Sequence, residues 1–444
     1  MSAPAPVPPP ANASRHAWLT LGILMATTAL NVADRNLLNI LLQPVKEAFD
    51  ATDTQMGLLV GTWFAVVHNV AVLFVGRLAD RGDRRSLVAA GLFLWSGLTA
   101  LSGAAQSYAQ LLVARMGVSA TESAGSAPVH SLLADAFPPH QRATALGLIS
   151  IGGIVGIALG MAVGGVVAAA WGWRAAFLVF GAPGLALALV VRAVVREPAR
   201  GAADGIAAGA SAPPLRATAA YLFGSRTYVH VVLSAGFHAF ASIGTASWYP
   251  AYLGRVHGLD LATTGVAYAV VGPLLSGIGA FVGGRLADRA GARDVRAYMR
   301  IPAWSAVLSV PSTLAFVLWP AGSTFALGDR ELPVALLVLM PASFLGGMWN
   351  GPTLAAVLGI ARPRMRALAS GLTTGTYNLV GLGLGPLLVG ALSDALAPTH
   401  GVASLRIALL VVALAHLWGS LHNALAARTL ARALADARAG PGAA

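Results

Sequence analysis

The chain has 444 residues, 57% of them hydrophobic and only 10% charged, with a mean hydropathy of +0.71. Soluble domains carry about half apolar and a quarter charged residues, so most of this chain is solvated by lipid. A formal net charge of +12 would suit nucleic acid, but the basic residues are dispersed along the chain rather than gathered into one stripe, and the lack of cysteine excludes disulfides, thiolate metal sites and cysteine nucleophiles.

In chain order, residues 1–14 are rich in Pro and Ala and lack a basic start, so they read as a disordered cytoplasmic tail rather than a cleaved signal. Apolar stretches of about 20 residues then recur, each long enough to cross a ~30 Å hydrocarbon core. The first six lie near 17–40, 55–78, 86–105, 108–135, 143–170 and 174–195. The second six lie near 226–252, 263–287, 298–319, 332–359, 367–394 and 403–427. The stretches are apolar on both parities, which predicts helices and not an outer-membrane barrel. The expected architecture is an all-α integral membrane protein of 12 transmembrane helices. Its parts are a bundle over 15–195, a Gly/Ala/Pro-rich cytoplasmic linker over 196–222, a second bundle over 223–427 and a cytoplasmic tail over 428–444.

Lys and Arg set the orientation. The tails and even-numbered loops hold Arg77, Arg81, Arg84, Arg85, Arg142, Arg285, Arg289, Arg296, Arg300, Arg364, Arg428 and others, whereas the odd-numbered loops hold only Lys46, Arg174, Arg255, Arg330 and Arg406. The bias is roughly four to one, and positive-inside then places both termini in the cytoplasm.

An internal repeat is the strongest single signal. Gly76-Arg77-Leu78-Ala79-Asp80-Arg81 recurs letter for letter as Gly284-Arg285-Leu286-Ala287-Asp288-Arg289, each time just after the second span of its half. Arg142-Ala143-Thr144-Ala145-Leu146-Gly147-Leu148 is echoed by Arg366-Ala367-Leu368-Ala369-Ser370-Gly371-Leu372. The offset between matches grows from 208 to 224 residues, which a longer loop around Pro320 to Pro333 would absorb. A six-plus-six parallel repeat with Asp-Arg turns resembles the major facilitator superfamily (MFS), whose motif between helices two and three matches Gly76, Asp80, Arg81, Arg84 and Arg85, with Gly82 one place early. The resemblance implies the MFS fold of two pseudo-two-fold-related bundles. It also implies that this motif, with Gly284, Asp288 and Arg289 in the second half, is a cytoplasmic gate. The alternative is that these arginines serve topology alone.

Within the superfamily the chain resembles bacterial relatives of the spinster lipid transporters. The residues that carry this are Asp34-Arg35 in the first span, Arg115 followed seven residues later by Glu122 in the fourth, Val195-Arg196-Glu197-Pro198, the run Asn378 to Pro386, and Leu392-Ser393-Asp394. Thr121 and Ser123 flank Glu122 where that group has Gly and Ala. Anion-cation symporters share an Asp-Arg in helix one and a Glu in helix four, and stay as the second reading.

Charges in hydrocarbon cost about 2.5 to 3.5 kcal/mol each on insertion scales, so Asp34, Arg35, Arg115 and Glu122 need a reason to be there. Asp34 and Arg115 fall at the same depth on antiparallel helices, and Glu122, a heptad after Arg115, lies about 10 Å deeper on nearly the same face. Arg35 points about 100° from Asp34 and is expected to snorkel to the outer interface. One reading is that Glu122 and Asp34 bind and release a proton while Arg115 trades between a carboxylate and an anionic solute. The other is a permanent ion network joining helices one and four.

His68, Asn69, His238, Trp248, Trp349, Asn350, Tyr377 and Asn378 are candidates for a substrate wall, against the plainer roles of helix contact and interfacial packing. Gly152, Gly156, Gly160 and Gly164, with Gly371, Gly375, Gly381, Gly385 and Gly390 in the second half, are expected to let helix backbones approach closely. No spacing fits a metal site, no cofactor beyond a proton gradient is implied, and no clustered His/Asp constellation supports a membrane enzyme. The expected function is alternating-access, proton-coupled transport of an amphipathic or anionic organic solute, lysolipid-like by the resemblance. The alternative is an organic-anion or sugar-acid proton symporter. The chain is read as a monomer in the bacterial inner membrane, with lipids and a small solute as its partners and no nucleic acid.

Overall fold

The computed structural model describes residues 13–198 and 214–439, the side chains of Asp80 and Ala439 excepted. The predicted tail before residue 13, the part of the predicted linker at 199–213, residues 440–444 and the Asp80 side chain of the expected gate lie outside the described residues.

Helices begin where a short polar side chain can accept from the first free amides. Ser14 caps Arg15–Ile40, Asp83 caps Arg84–Ser102, Ser107 caps Tyr108–Glu122 and Ser225 caps Arg226–His257. The last of these ends on Gly258 at φ 69°, the left-handed geometry glycine adopts without strain. Among the described residues, nine helical runs are long and apolar enough to span a membrane, against the twelve expected. The differences are local. The predicted spans 143–170 and 174–195 fall in one run, Pro139–Val194, interrupted at Gly172 (φ 81°, ψ 162°). The predicted span 108–135 breaks into Tyr108–Glu122, a single 3-10 turn Ser123–Gly125 and Ala127–Ala136. The predicted span 332–359 breaks around Met348 and Trp349 into Ala335–Gly347 and Asn350–Ile360, so neither piece is long enough alone.

The chain divides into two compact units, Met1–Leu41 with Val66–Ala210, and Leu42–Ala65 with Ser211–Ala444. In the first, helix 15–40 lies against helix 139–194 backbone to backbone: a Cβ on Gly156 would meet the Ala29 carbonyl and one on Gly160 the Ala33 carbonyl. The four-residue glycine spacing is therefore a packing groove, as expected. Trp95, Leu24, Leu92, Val118, Leu132 and Phe137 form the apolar core beside it.

In the second unit, helix 226–257 packs along Ala415–Ala439 and on the run Pro363–His400, where Gly385 faces Gly244. Gly371 of the same predicted stripe faces open space instead. The predicted long loop is an antiparallel hairpin, Thr324–Leu327 with Arg330–Pro333, turned at Gly328 (φ 61°). Leu215–Gly224 is helical within the predicted linker, and helix 415–439 runs on through the residues expected to begin the C-terminal tail. The segment 42–65 packs on helix 363–400, with Gly57 and Gly61 close against Pro386 and Leu382. Three π-helical turns, Leu58–Thr62, Val270–Leu274 and Asn378–Leu384, interrupt otherwise α-helical runs, a feature frequent at functional sites.

Candidate functional site

The predicted depth match is realised in the first unit. Arg115 Nη1 donates to Asp34 Oδ1 at 2.9 Å, and the Thr99 hydroxyl donates to Asp34 Oδ2. Arg115 Nη2 also reaches the Asp34 carbonyl oxygen at 3.5 Å, and both side chains are buried. Glu122 lies one heptad on, at the end of helix 108–122 where the 3-10 turn begins. Its partner is Arg35, whose Nη2 donates to Glu122 Oε2 at 3.1 Å. The expectation that Arg35 snorkels outward is thus corrected: its long stem carries the guanidinium around helix 15–40 to a carboxylate that would otherwise be a bare buried ion. In that pair the Arg35 side chain is 30% exposed and that of Glu122 is 0%. Among the described residues, Glu122 Oε1 has no hydrogen-bond partner, nor does Arg115 Nε. His68 Nδ1 sits 3.3 Å from the Ser119 carbonyl, one turn before Glu122, so that nitrogen carries the ring proton.

The gate motif splits into different surroundings. Arg84 is buried at the start of helix 84–102, with Nε donating to Glu197 Oε1 at 2.6 Å and Nη1 to Asp135 Oδ2 at 2.5 Å. It also donates to the Ser131 hydroxyl and the Pro198 carbonyl, and the Arg85 amide completes the grip on Glu197 at 3.0 Å. The three helix ends clipped together all belong to the first unit. Beside them, burial alone would raise the Asp83 carboxyl, but hydrogen bonds from Ser86 and Arg85 outweigh it and hold it below its ordinary value. In the second half, Asp288 is exposed and, among the described residues, accepts only from the Tyr298 hydroxyl, at 2.9 Å. A Cβ on Gly76 or Gly284 would meet nothing within 4 Å, so packing among the described residues does not explain the motif glycines.

The candidate wall residues of the second half sort differently. His238 is fully buried: the Asn423 amide donates to its Nε2 at 2.7 Å, so its Nδ1 holds the proton and donates to His416 Nδ1 at 3.2 Å. Trp349 sits with its ring centroid 5.9 Å from that of His238, and Tyr377 meets Trp349 edge-on. His230 pairs with His422 at 2.9 Å on the same two helices. Trp248 is wholly buried with its indole donating to the Pro386 carbonyl, so it joins helices and presents no open surface. Asn350 is exposed, Asn69 and Asn378 are half-buried, and Asn378 opens a π-helical turn.

Sequence reasoning missed a second ionic cluster, inside the second unit. Arg255 grips Asp53 through two bonds of 2.7 and 2.8 Å, Lys46 adds one of 2.5 Å and Ser393 one of 2.7 Å. Asp394 accepts from the amides of Asp53 and Thr54. The signal that could have found it is the capping box Thr52 to Gln55, which marks a helix start carrying Asp53. Among the described residues, no group of three or more His, Cys, Asp or Glu is placed to hold a metal ion.

Known proteins resemble the chain over nearly all of this architecture. The sequence profile of the Major Facilitator Superfamily matches residues 24–386. An MFS-type efflux pump of Mycolicibacterium smegmatis is 34% identical over 431 residues, 95% of this chain and 96% of its own. Protein spinster homolog 3 of Danio rerio is 27% identical across 86% of this chain and 78% of its own. The crystal structure of a bacterial homolog to the human lysosomal transporter Spinster, inward-facing and occupied, superimposes with a TM-score of 0.83 at 25% identity, covering 95% of this chain and 99% of that one.

Proposed function

Because the chain belongs to the Major Facilitator Superfamily and is a multi-pass secondary transporter rather than an enzyme, we propose that it moves an amphipathic or anionic organic solute by alternating access, coupled to a proton carried by Glu122. The observation that supports this most is the asymmetry of that carboxyl. It is wholly buried, one oxygen is held by Arg35 and the other is bare. A bare buried oxygen is costly as an ion and inexpensive as a hydroxyl, so when Arg35 leaves, Glu122 takes a proton. Arg35, the more exposed partner, is the group an anionic solute reaches, and a phosphate or carboxylate docking on its planar fork draws it from Glu122. Asp34, held by Arg115 and Thr99, orients the site. A lysolipid-like solute follows from the spinster resemblance.

We also read twelve crossings: the nine long runs, one more where Gly172 divides helix 139–194, and two from the broken helices 108–136 and 335–360. The π-turns at Leu58 and Val270 lie 212 residues apart (58 to 270), close to the 208 between Gly76 and Gly284 (76 to 284), which supports paired halves. The Lys and Arg bias puts both termini in the cytoplasm of a bacterial inner membrane. On this reading the Arg84 clip stiffens its own half as a rocking body.

The test uses purified protein in liposomes loaded with a pH-sensitive dye. Adding lysophosphatidylglycerol or a sugar acid should move protons with the solute in wild type. Glu122→Gln, folded by size-exclusion chromatography, should bind solute with loss of the proton flux. Unchanged flux in that variant removes Glu122 from the coupling.

A further inference from the structure

A separate feature lies on the second unit, away from the buried charges. Helices 297–318 and 415–439 pack on each other, with Met299 in one core cluster with Ala426, Ala427 and Leu430. Between them is an open groove of about 500 Å³ whose walls are apolar, among them Val307, Leu417 and Leu421. Arg296, Arg300 and Arg428 line it, and the clustering of Met299 with Ala427, next in sequence to Arg300 and Arg428, brings these guanidinium-bearing stretches together. A second groove of about 400 Å³ runs on the other flank of helix 297–318, lined by Leu286, Ile301 and Leu308. Both grooves share Arg300 and Trp304. Trp304, 65% exposed, therefore stands as a ridge with an apolar channel on each side and guanidinium groups at its foot.

Among the described residues, the charge at that foot is only partly balanced by ion pairs. Arg300 pairs with Asp294 at 3.0 Å, whereas Arg296 and Arg428 make no ion pair among the described residues. Three cations face one carboxylate, and topology alone does not require them to converge on a groove. Basic pockets between membrane helices hold anionic headgroups, and two parallel apolar channels suit two acyl chains. We propose that this double groove is a binding site for an anionic diacyl phospholipid, with one chain on each flank of Trp304 and the phosphate on Arg296, Arg300 and Arg428. The lipid is a resident ligand, distinct from the transported solute, and its binding does not depend on the coupling scheme above.

The experiment is native mass spectrometry of detergent-purified protein titrated with dioleoylphosphatidylglycerol, dioleoylphosphatidylcholine or single-chain lysophosphatidylglycerol. Dioleoylphosphatidylglycerol should be retained saturably, and the other two roughly tenfold or more weakly. In the R296Q/R300Q/R428Q variant the preference for phosphatidylglycerol should vanish; these side chains are exposed, so the fold is expected to survive. Ala424→Phe, which narrows one channel and leaves every arginine, should weaken the diacyl lipid and spare the lysolipid. Equal retention of phosphatidylcholine, or full retention by the triple variant, overturns the proposal.

Discussion

The two units bury their polar groups in different forms. In the first, besides the Arg84 clip at helix ends, two buried ionic pairs join the helical runs 15–40 and 108–122, Asp34 with Arg115 and Glu122 with Arg35. In the second, the buried chain Asn423–His238–His416 is neutral, and the ionic cluster of Asp53 with Arg255 and Lys46 is confined to helix ends. A neutral chain meets the demand for hydrogen bonds at modest cost and carries no field. A buried ion pair is stable only while both members stay, so moving the arginine leaves the carboxylate either destabilised as a bare ion or driven to take a proton. The contrast is what motivates the proposal of a proton carrier at Glu122, whose ion pair lies in the first unit.

The comparison breaks most sharply at Arg115. Arg115→Ala leaves Asp34 buried as an uncompensated carboxylate and should lower stability by about 3 to 5 kcal/mol. Thermal unfolding in detergent reads this, and the double variant R115A/D34A should recover most of the loss. If the double variant is no more stable than the single, the pair is not the source. Next comes Arg84→Ala, which strips Asp135 and Glu197 of a shared donor. Those carboxylates reach solvent in part, so the expected loss is smaller, about 2 kcal/mol by the same measurement.

How much of this was legible follows from reach. Helix arithmetic brought Asp34 and Arg115 together, because rise per residue and antiparallel direction suffice for that. It misplaced Arg35, because a flexible stem with four torsions can turn away from the direction its Cα dictates. The glycine rows at 152–164 were legible because their packing depends on spacing alone, whereas Gly371 shows that spacing does not say which face a neighbour covers. Glu197 stood out only as part of a family resemblance; its partner Arg84 lies 113 residues away and depends on three helix ends meeting. His238 was visible, but His416 and Asn423 were not, being 178 and 185 residues distant on a helix whose pairing only the fold reveals. The breaks at Ser123–Gly125 and Trp349 coincide with small and polar runs, residues 121–126 and 349–353, which the longer apolar flanks masked.

Smaller effects sharpen the neutral side of the contrast. His238→Gln keeps a donor and an acceptor but cannot span both Asn423 and His416, so one buried contact is lost for about 1 to 2 kcal/mol. Proton flux in liposomes should be unchanged, and a shifted pH profile would move coupling into the second unit.

The smallest expected effect tests the repeat itself. Asp288 occupies the same place in its motif as Asp80, and its side chain is exposed and, among the described residues, bonded only to the Tyr298 hydroxyl. Asp288→Asn keeps an acceptor for that hydroxyl, and exposed substitutions of this kind leave stability nearly unchanged. The melting temperature should therefore match wild type, while Arg84→Ala falls well below it. A large loss at Asp288 would mean that this motif carries a structural duty that its exposed position and its bond to Tyr298 do not suggest.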